Sequence, residues 1–193
     1  MRKLTVDDIV DHRAYERERE EFRARVIEVK RRRRMQLGEI VTIVFENTDT
    51  MRFQVQEMAR AERMLTDEAI AHEVATYNEL IPGPGELSGT LFIELVDDAR
   101  LRNWLPRLVG IEFAVRFELA DGSRVGSVPE DEERLTREDI TSTVHYLKFP
   151  FTPEQQAALA NDVTRLVIDH PEYSAAIDLT DDQRAELTRD FAE

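Results

Sequence analysis

Two glutamates stand where apolar side chains should be. The segment from Thr50 to Leu65 reads as a helix with an apolar stripe at Met51, Val55, Met58 and Leu65, and the position that completes the stripe is Glu62. A second helix, from Thr66 or Asp67 to Leu80, has Ile70, Val74, Tyr77 and Leu80 or Ile81 on its stripe, and Glu73 lies within it. Helices joined by so short a turn pack antiparallel. With a rise of about 1.5 Å per residue, Glu62 before the turn and Glu73 after it come to similar heights. A buried carboxylate must be paired, protonated or bound to metal, and two that face each other either gain proton affinity or hold a cation between them. His72 and Glu79 flank the stripe, His145 lies in a late strand, and Glu57 lies with Gln54 on another face of the first helix. Oxygen and imidazole donors suit iron or manganese. The candidate metal set is therefore Glu62, Glu73, His72, His145 and Glu57. The plainer alternative pairs the two stripe acids with Arg52, Arg60 or Arg63 and leaves Glu57 in solvent. No glutamate precedes His72 by three residues, so the Glu-x-x-His signature of di-iron bundles is missing.

The elements that must position these residues follow from periodicity. Thr5 and Asp8 form a capping pair, and a helix runs from about Arg13 to Arg34 with Tyr15, Phe22, Val26 and Val29 on one stripe. It ends in the basic run Lys30 to Arg34, a solvated helix end that complements the dipole and finds acids elsewhere, such as Glu130 to Glu133. After Gly38, Glu39 to Glu46 reads as a strand, and Pro82-Gly83-Pro84-Gly85 stops the helical hairpin. Strands are expected over Leu87–Val96, Ile111–Leu119, Arg124–Val128 and Ile140–Phe149, with Asp121-Gly122 as a hairpin turn. Asp98–Val109 reads as a helix, Pro129–Arg137 as an acidic loop, and Thr152 and Thr180 cap two further helices. Val163–Asp169 and Ala175–Leu179 are weaker strands. Hairpin and short-helix connections predict an α+β fold: an antiparallel sheet of about five or six strands, with a helical hairpin and further helices packed on one side. The whole of 1–193 reads as one domain, with 1–36 a helical segment and 37–193 the α+β body.

Composition narrows the function classes. With no cysteine among 193 residues, the chain has no disulfide framework, thiolate metal site or cysteine nucleophile. A net charge of −14 repels phosphate and disfavours nucleic acid. No apolar run suggests a signal peptide or membrane span, so the expectation is a cytoplasmic protein. No Gly-x-Ser-x-Gly motif or phosphate loop stands out.

Phe45-Glu46-Asn47-Thr48-Asp49-Thr50, Phe53 to Met58, Arg60 to Arg63, Glu73, Tyr77 to Leu80 and Pro82 to Leu87 together resemble an uncharacterised bacterial family, the domain of unknown function 3501. Leu4 to Ile9, Phe22-Arg23 and the basic run extend the likeness over nearly the whole chain. The resemblance implies a setting near rubrerythrin-like proteins and iron–sulfur oxidoreductases, hence a role in redox or oxidative-stress metabolism. Two functions follow as expectations. The first is a non-catalytic accessory protein that binds a partner in a redox system through its charged surface. The second is a carboxylate and histidine metal protein, or an oxidoreductase, built on the hairpin 50–80.

Overall fold

Two antiparallel sheets share one apolar interior in the computed structural model, which describes residues 1–130 and 139–192. The five-stranded sheet has the order β1 (Arg34–Leu37), β2 (Val41–Glu46), β3 (Glu86–Ile93), β7 (Val144–Pro150), β6 (Val128–Glu130). The four-stranded sheet has the order β5 (Arg124–Gly126), β4 (Val115–Leu119), β8 (Thr164–His170), β9 (Tyr173–Asp178). Every other side chain of β2, β3 and β7 points inward: Val41, Ile43, Phe45, Leu87, Leu91, Leu147 and Phe149 meet Val115, Phe117, Leu119, Leu166 and Ile168 of the other sheet. Phe117 centres this interior, with ring centroids 5.6 Å from Phe45, 5.1 Å from Phe149 and 5.3 Å from Phe151.

The chain changes sheets at Ser127, between β5 and β6. At the other side Tyr173 of β9 donates its hydroxyl to Leu37 O, 2.5 Å away. That closure needs Gly38, whose φ of +71° favours glycine and whose missing Cβ leaves room for the Tyr173 ring. The α+β class and a five-stranded sheet beneath a helical hairpin agree with the sequence reading; a second sheet adds to it. β1 is one element that periodicity missed, because Arg34-Met35-Gln36-Leu37 is short and continues the basic run, yet Met35 and Leu37 are buried.

The helices sit outside the five-stranded sheet and across one end of the interior. Helix α1 (His12–Arg33) begins at Asp11, whose side chain accepts from Arg13 N and Ala14 N. Helices α2 (Thr48–Ala61) and α3 (Asp67–Asn78) form the hairpin, capped by Asn47 and Thr66. Met51, Val55, Val74 and Ile81 build a second apolar cluster with Leu4 and Ile9. The short α4 (Asp98–Trp104) follows β3, and α5 (Pro153–Asn161) and α6 (Asp181–Thr188) pack together near β4. The expected acidic loop at Pro129–Arg137 falls mostly outside the described residues; Pro129 and Glu130 belong to β6.

The basic run is solvated at Arg31 and Arg34, as expected, but Arg33 is buried. Arg33 is 1% exposed and donates Nε to Glu186 Oε1 at 3.1 Å and two guanidinium nitrogens to Asp190 at 2.9 and 2.5 Å. Arg34 pairs with Glu94, and Arg32 lies 3.8 Å from Glu186. The partners are thus Glu186, Asp190 and Glu94 rather than Glu130, which pairs with Lys148 at 3.3 Å. The remainder of the expected acid set, 131–133, lies outside the described residues.

Candidate functional site

A groove lies between the hairpin and the outward face of the five-stranded sheet. Pleating puts Glu46, Thr90, Phe92, Val144 and Tyr146 on that face, opposite the interior. Above them, α2 supplies Met51 and Gln54, α3 supplies Tyr77 with Leu80 just beyond it, and Lys30 reaches in from the last turn of α1. This cavity measures about 220 Å³. A second cavity of about 140 Å³ adjoins it, sharing Tyr77, Leu80 and Tyr146, and is lined further by Glu73, Thr76, Glu79 and Glu130. Together they reach the lower end of the roughly 300–1,000 Å³ typical of small-ligand sites.

Glu46 is the residue that sets this groove apart. It ends β2, is 4% exposed, and its Oε1 accepts from Thr90 Oγ1 at 3.1 Å. Its Oε2 is buried and has no hydrogen-bond partner among the described residues. A carboxylate oxygen only accepts, so a group that matched it would be a donor. The backbone holds Glu46 from both sides. Arg33 Nη1 donates to its carbonyl at 3.4 Å, and the next residue, Asn47, is locked by a reciprocal cap in which its Oδ1 accepts from Thr50 N and its own N donates to Thr50 Oγ1, both at 2.9 Å.

The roof is fastened by lysines. The carbonyls at the C-terminal end of α3 accept from Lys3 Nζ (Asn78 O at 2.6 Å, Ile81 O at 2.7 Å) and from Lys148 Nζ (Glu79 O at 2.6 Å). Burial, and then Lys148, lower the pKa of Lys3. Inside the groove, burial raises the pKa of Tyr77; a hydrogen bond with Gln54 opposes the rise, and Glu73, Tyr146 and Glu62 add to it. Burial likewise raises Glu130, against the pull of Lys148.

The five residues proposed as metal ligands from the sequence lie in five separate places. Glu73 is half-buried and lines the smaller cavity. Glu62 is exposed, because α2 ends at Ala61 and Glu62 becomes its C-cap, off the apolar stripe. His72 is exposed on α3. Glu57 is neither solvated nor near the sheet: Tyr15 donates its hydroxyl to it at 2.6 Å and Arg19 grips both oxygens at 2.8 Å, pinning α1 to α2. His145 points into the interior from β7, its Nε2 3.0 Å from Thr141 Oγ1 and from Ser142 O, and its Nδ1 4.0 Å from Glu112. Burial lowers the His145 pKa, and Glu112 opposes this. Among the described residues no three His, Asp or Glu side chains converge as a metal shell would. Arg60 binds Glu16 and Arg52 binds Asp8 O, so neither is the partner foreseen for the hairpin acids.

Sequence reasoning passed over Glu46, Lys30, Thr90 and Tyr146. The available signal was Glu46 itself, an acid closing a strand whose six residues are all buried. The larger concavity of about 500 Å³ lined by Met1, Arg2, Asn47, Thr48 and Asp49 is a weaker candidate, since three of its polar side chains already have partners: Arg2 on Asp8, Thr48 on Arg2 O, Asn47 on its cap.

A family model described as a protein of unknown function, DUF3501, matches residues 3–191. A crystal structure of a protein of unknown function from Burkholderia pseudomallei K96243 is 33% identical, with a TM-score of 0.90 over 98% of this chain and 99% of the other. No curated protein matches.

Proposed function

The chain belongs to the DUF3501 family, which lends it no activity, and we propose from its own geometry that it is a binding protein holding a small polar ligand in the groove beneath the hairpin. The observation that carries this is Glu46, a buried carboxylate that lines a cavity walled by two tyrosines and whose Oε2 has no hydrogen-bond partner among the described residues. Leaving such an acceptor unmade costs about 1–3 kcal/mol, more when it is charged. A ligand that donates to it recovers that cost, whereas the fold gains nothing from it. The reading keeps the accessory character expected from the sequence. The redox setting adds nothing to the groove and stays with the resemblance.

The test is a screen of small polar compounds by protein-observed NMR, run on the wild type and on Glu46→Gln. The amide keeps the shape and one acceptor but removes the charge. Hits should shift resonances of Tyr77 and Tyr146 and weaken in the variant. Compounds that bind equally well to both proteins, or only at other surfaces, would sink the reading.

A further inference from the structure

We propose that the ligand of this groove is an aliphatic diamine or polyamine, with one ammonium on Glu46 and the other at the mouth lined by Glu73, Glu79 and Glu130. The inference rests on the groove being a ligand site and deepens it from the arrangement of charge along the sheet. Glu130, Tyr146 and Thr90 are direct cross-strand neighbours on β6, β7 and β3. Glu46 sits one strand further, on β2, bonded to Thr90. Acids therefore stand three inter-strand steps apart, roughly 14 Å across the strands at about 4.8 Å per step, with Glu46 set diagonally because its register partner on β3 is Ser88, two residues from Thr90.

What lies between suits a methylene spacer. Tyr77, Tyr146 and Leu80 wall both cavities, and Phe92 extends the apolar surface toward Glu46. Ring faces also attract alkylammonium groups. At the deep end the need is for a donor carrying positive charge, since Glu46 is an acceptor only. At the mouth neither Glu73 nor Glu79 has an ion-pair partner among the described residues. An acidic mouth on an acidic protein also concentrates cations.

Lys30 decides between a diamine and a zwitterion. It lines the deep cavity and has no ion pair among the described residues. Its side chain is an ammonium on four methylenes, the chemistry of the proposed ligand, on a stem flexible enough to swing. For a diamine, Lys30 is the competitor for Glu46 in the empty groove, and removing it tightens binding. For a ligand with an anionic end, Lys30 is the anchor, and removing it weakens binding.

The experiment is calorimetric titration of the full chain at near-physiological ionic strength with diaminopropane, diaminopentane and spermidine. Butylamine is the one-ended control and succinate the anionic one. The expected result is a best diamine or triamine at least about tenfold tighter than butylamine, weakened about tenfold or more by Glu46→Gln and by the double variant Glu73→Gln, Glu79→Gln, and tightened by Lys30→Met. Should Glu46→Gln fail to fold, the double variant at the solvent-facing mouth carries the test alone. Butylamine matching the best diamine would overturn the two-ended proposal while leaving Glu46 as an anchor. Succinate binding that Lys30→Met abolishes would replace it with an anionic ligand in the same groove. If no amine binds while other compounds shift Tyr77 and Tyr146, the diamine is wrong and the groove stands. If nothing shifts them, both fail.

Discussion

Replacing Arg33 by methionine should unfold this protein more readily than any other change at the basic helix end. Arg33 is 1% exposed, and its partners Asp190 and Glu186 are 0% and 6% exposed. Three charge-assisted hydrogen bonds join them, two arranged as a fork on Asp190. Removing one member of a buried ion pair typically costs about 3–5 kcal/mol, because the remaining charge loses its compensation. That is a large part of the roughly 5–15 kcal/mol that holds a domain together. For a chain of this size each kcal/mol moves Tm by about 2–4 °C, so a fall of roughly 6–20 °C is expected. Urea unfolding followed by circular dichroism gives the free energy directly, provided the m value is unchanged. A companion variant, Arg33→Met with Glu186→Met and Asp190→Leu, removes the buried charges together, leaves only the solvent-facing Arg32 and Arg189 without Glu186, and should regain most of the loss. A cost below about 1 kcal/mol for Arg33→Met would mean that the clamp does not close in solution, and the positioning of Glu46 through its carbonyl would lose its support.

Glu57→Gln tests the tie between α1 and α2. Hydrogen bonds from Arg19 hold the Glu57 carboxyl below the usual range, against burial, with Tyr15 adding to the lowering. Its stabilisation is present above the unfolded pKa of about 4.3 and lost as pH falls through the folded value. The stability gap between wild type and variant, read from urea midpoints, should therefore narrow from about pH 5 downward; a gap that widens on acidification contradicts the assignment. Lys148→Met removes a donor to two carbonyls at the end of α3 and the partner of Glu130. Amide exchange across 66–81 should quicken by about tenfold while the sheet interior stays protected; uniform change would show that the roof is not separately fastened. Phe117→Ala should cost about 3–5 kcal/mol, as the ring touches three other phenylalanines between the sheets.

The fold was largely legible because its elements announce themselves locally. Alternation from Val115 to Leu119, the Asp121-Gly122 turn and the caps at Thr66, Thr152 and Thr180 all act within a few residues and hold in the structure, whereas Ile111–Phe113, expected to begin that strand, form a 3-10 turn that leaves Phe113 exposed. What escaped depends on contacts far along the chain. Arg33 looks like the rest of a basic run until residues more than 150 positions later bury it. Gln54 and Glu57 share one face of a helix in the sequence reading, but Gln54 lines the groove with Tyr77 whereas Glu57 turns to α1. Glu62 and Glu73 follow the stripe arithmetic only while the helix lasts. Because α2 ends at Ala61, the first leaves the stripe and the second alone lines a cavity. Glu73 is thus the residue of the candidate set that the structure carries to the groove, in the company of residues from β2, β3, β6 and β7 that periodicity could not place beside it.

Glu46 supplies the sharpest way to separate binding from architecture. A leucine there would face Met51, Leu80 and Phe92, which already line the same cavity. A carboxylate in that position, with one oxygen unpartnered among the described residues, works against the fold. If Glu46 is kept for a ligand, the double variant Glu46→Leu, Thr90→Val, which also removes the hydroxyl that Glu46 now satisfies, should be more stable than wild type by about 1–3 kcal/mol. It should at the same time lose every ligand that wild type holds in the groove, the exchange of stability for function expected at a built site. Were Glu46 structural, the same variant would lose stability, because a buried acceptor anchoring Thr90 between β2 and β3 would be gone. Denaturant midpoints of the empty proteins distinguish the two without any ligand in hand. A loss of more than about 1 kcal/mol would return Glu46 to the architecture and leave the groove without its anchor.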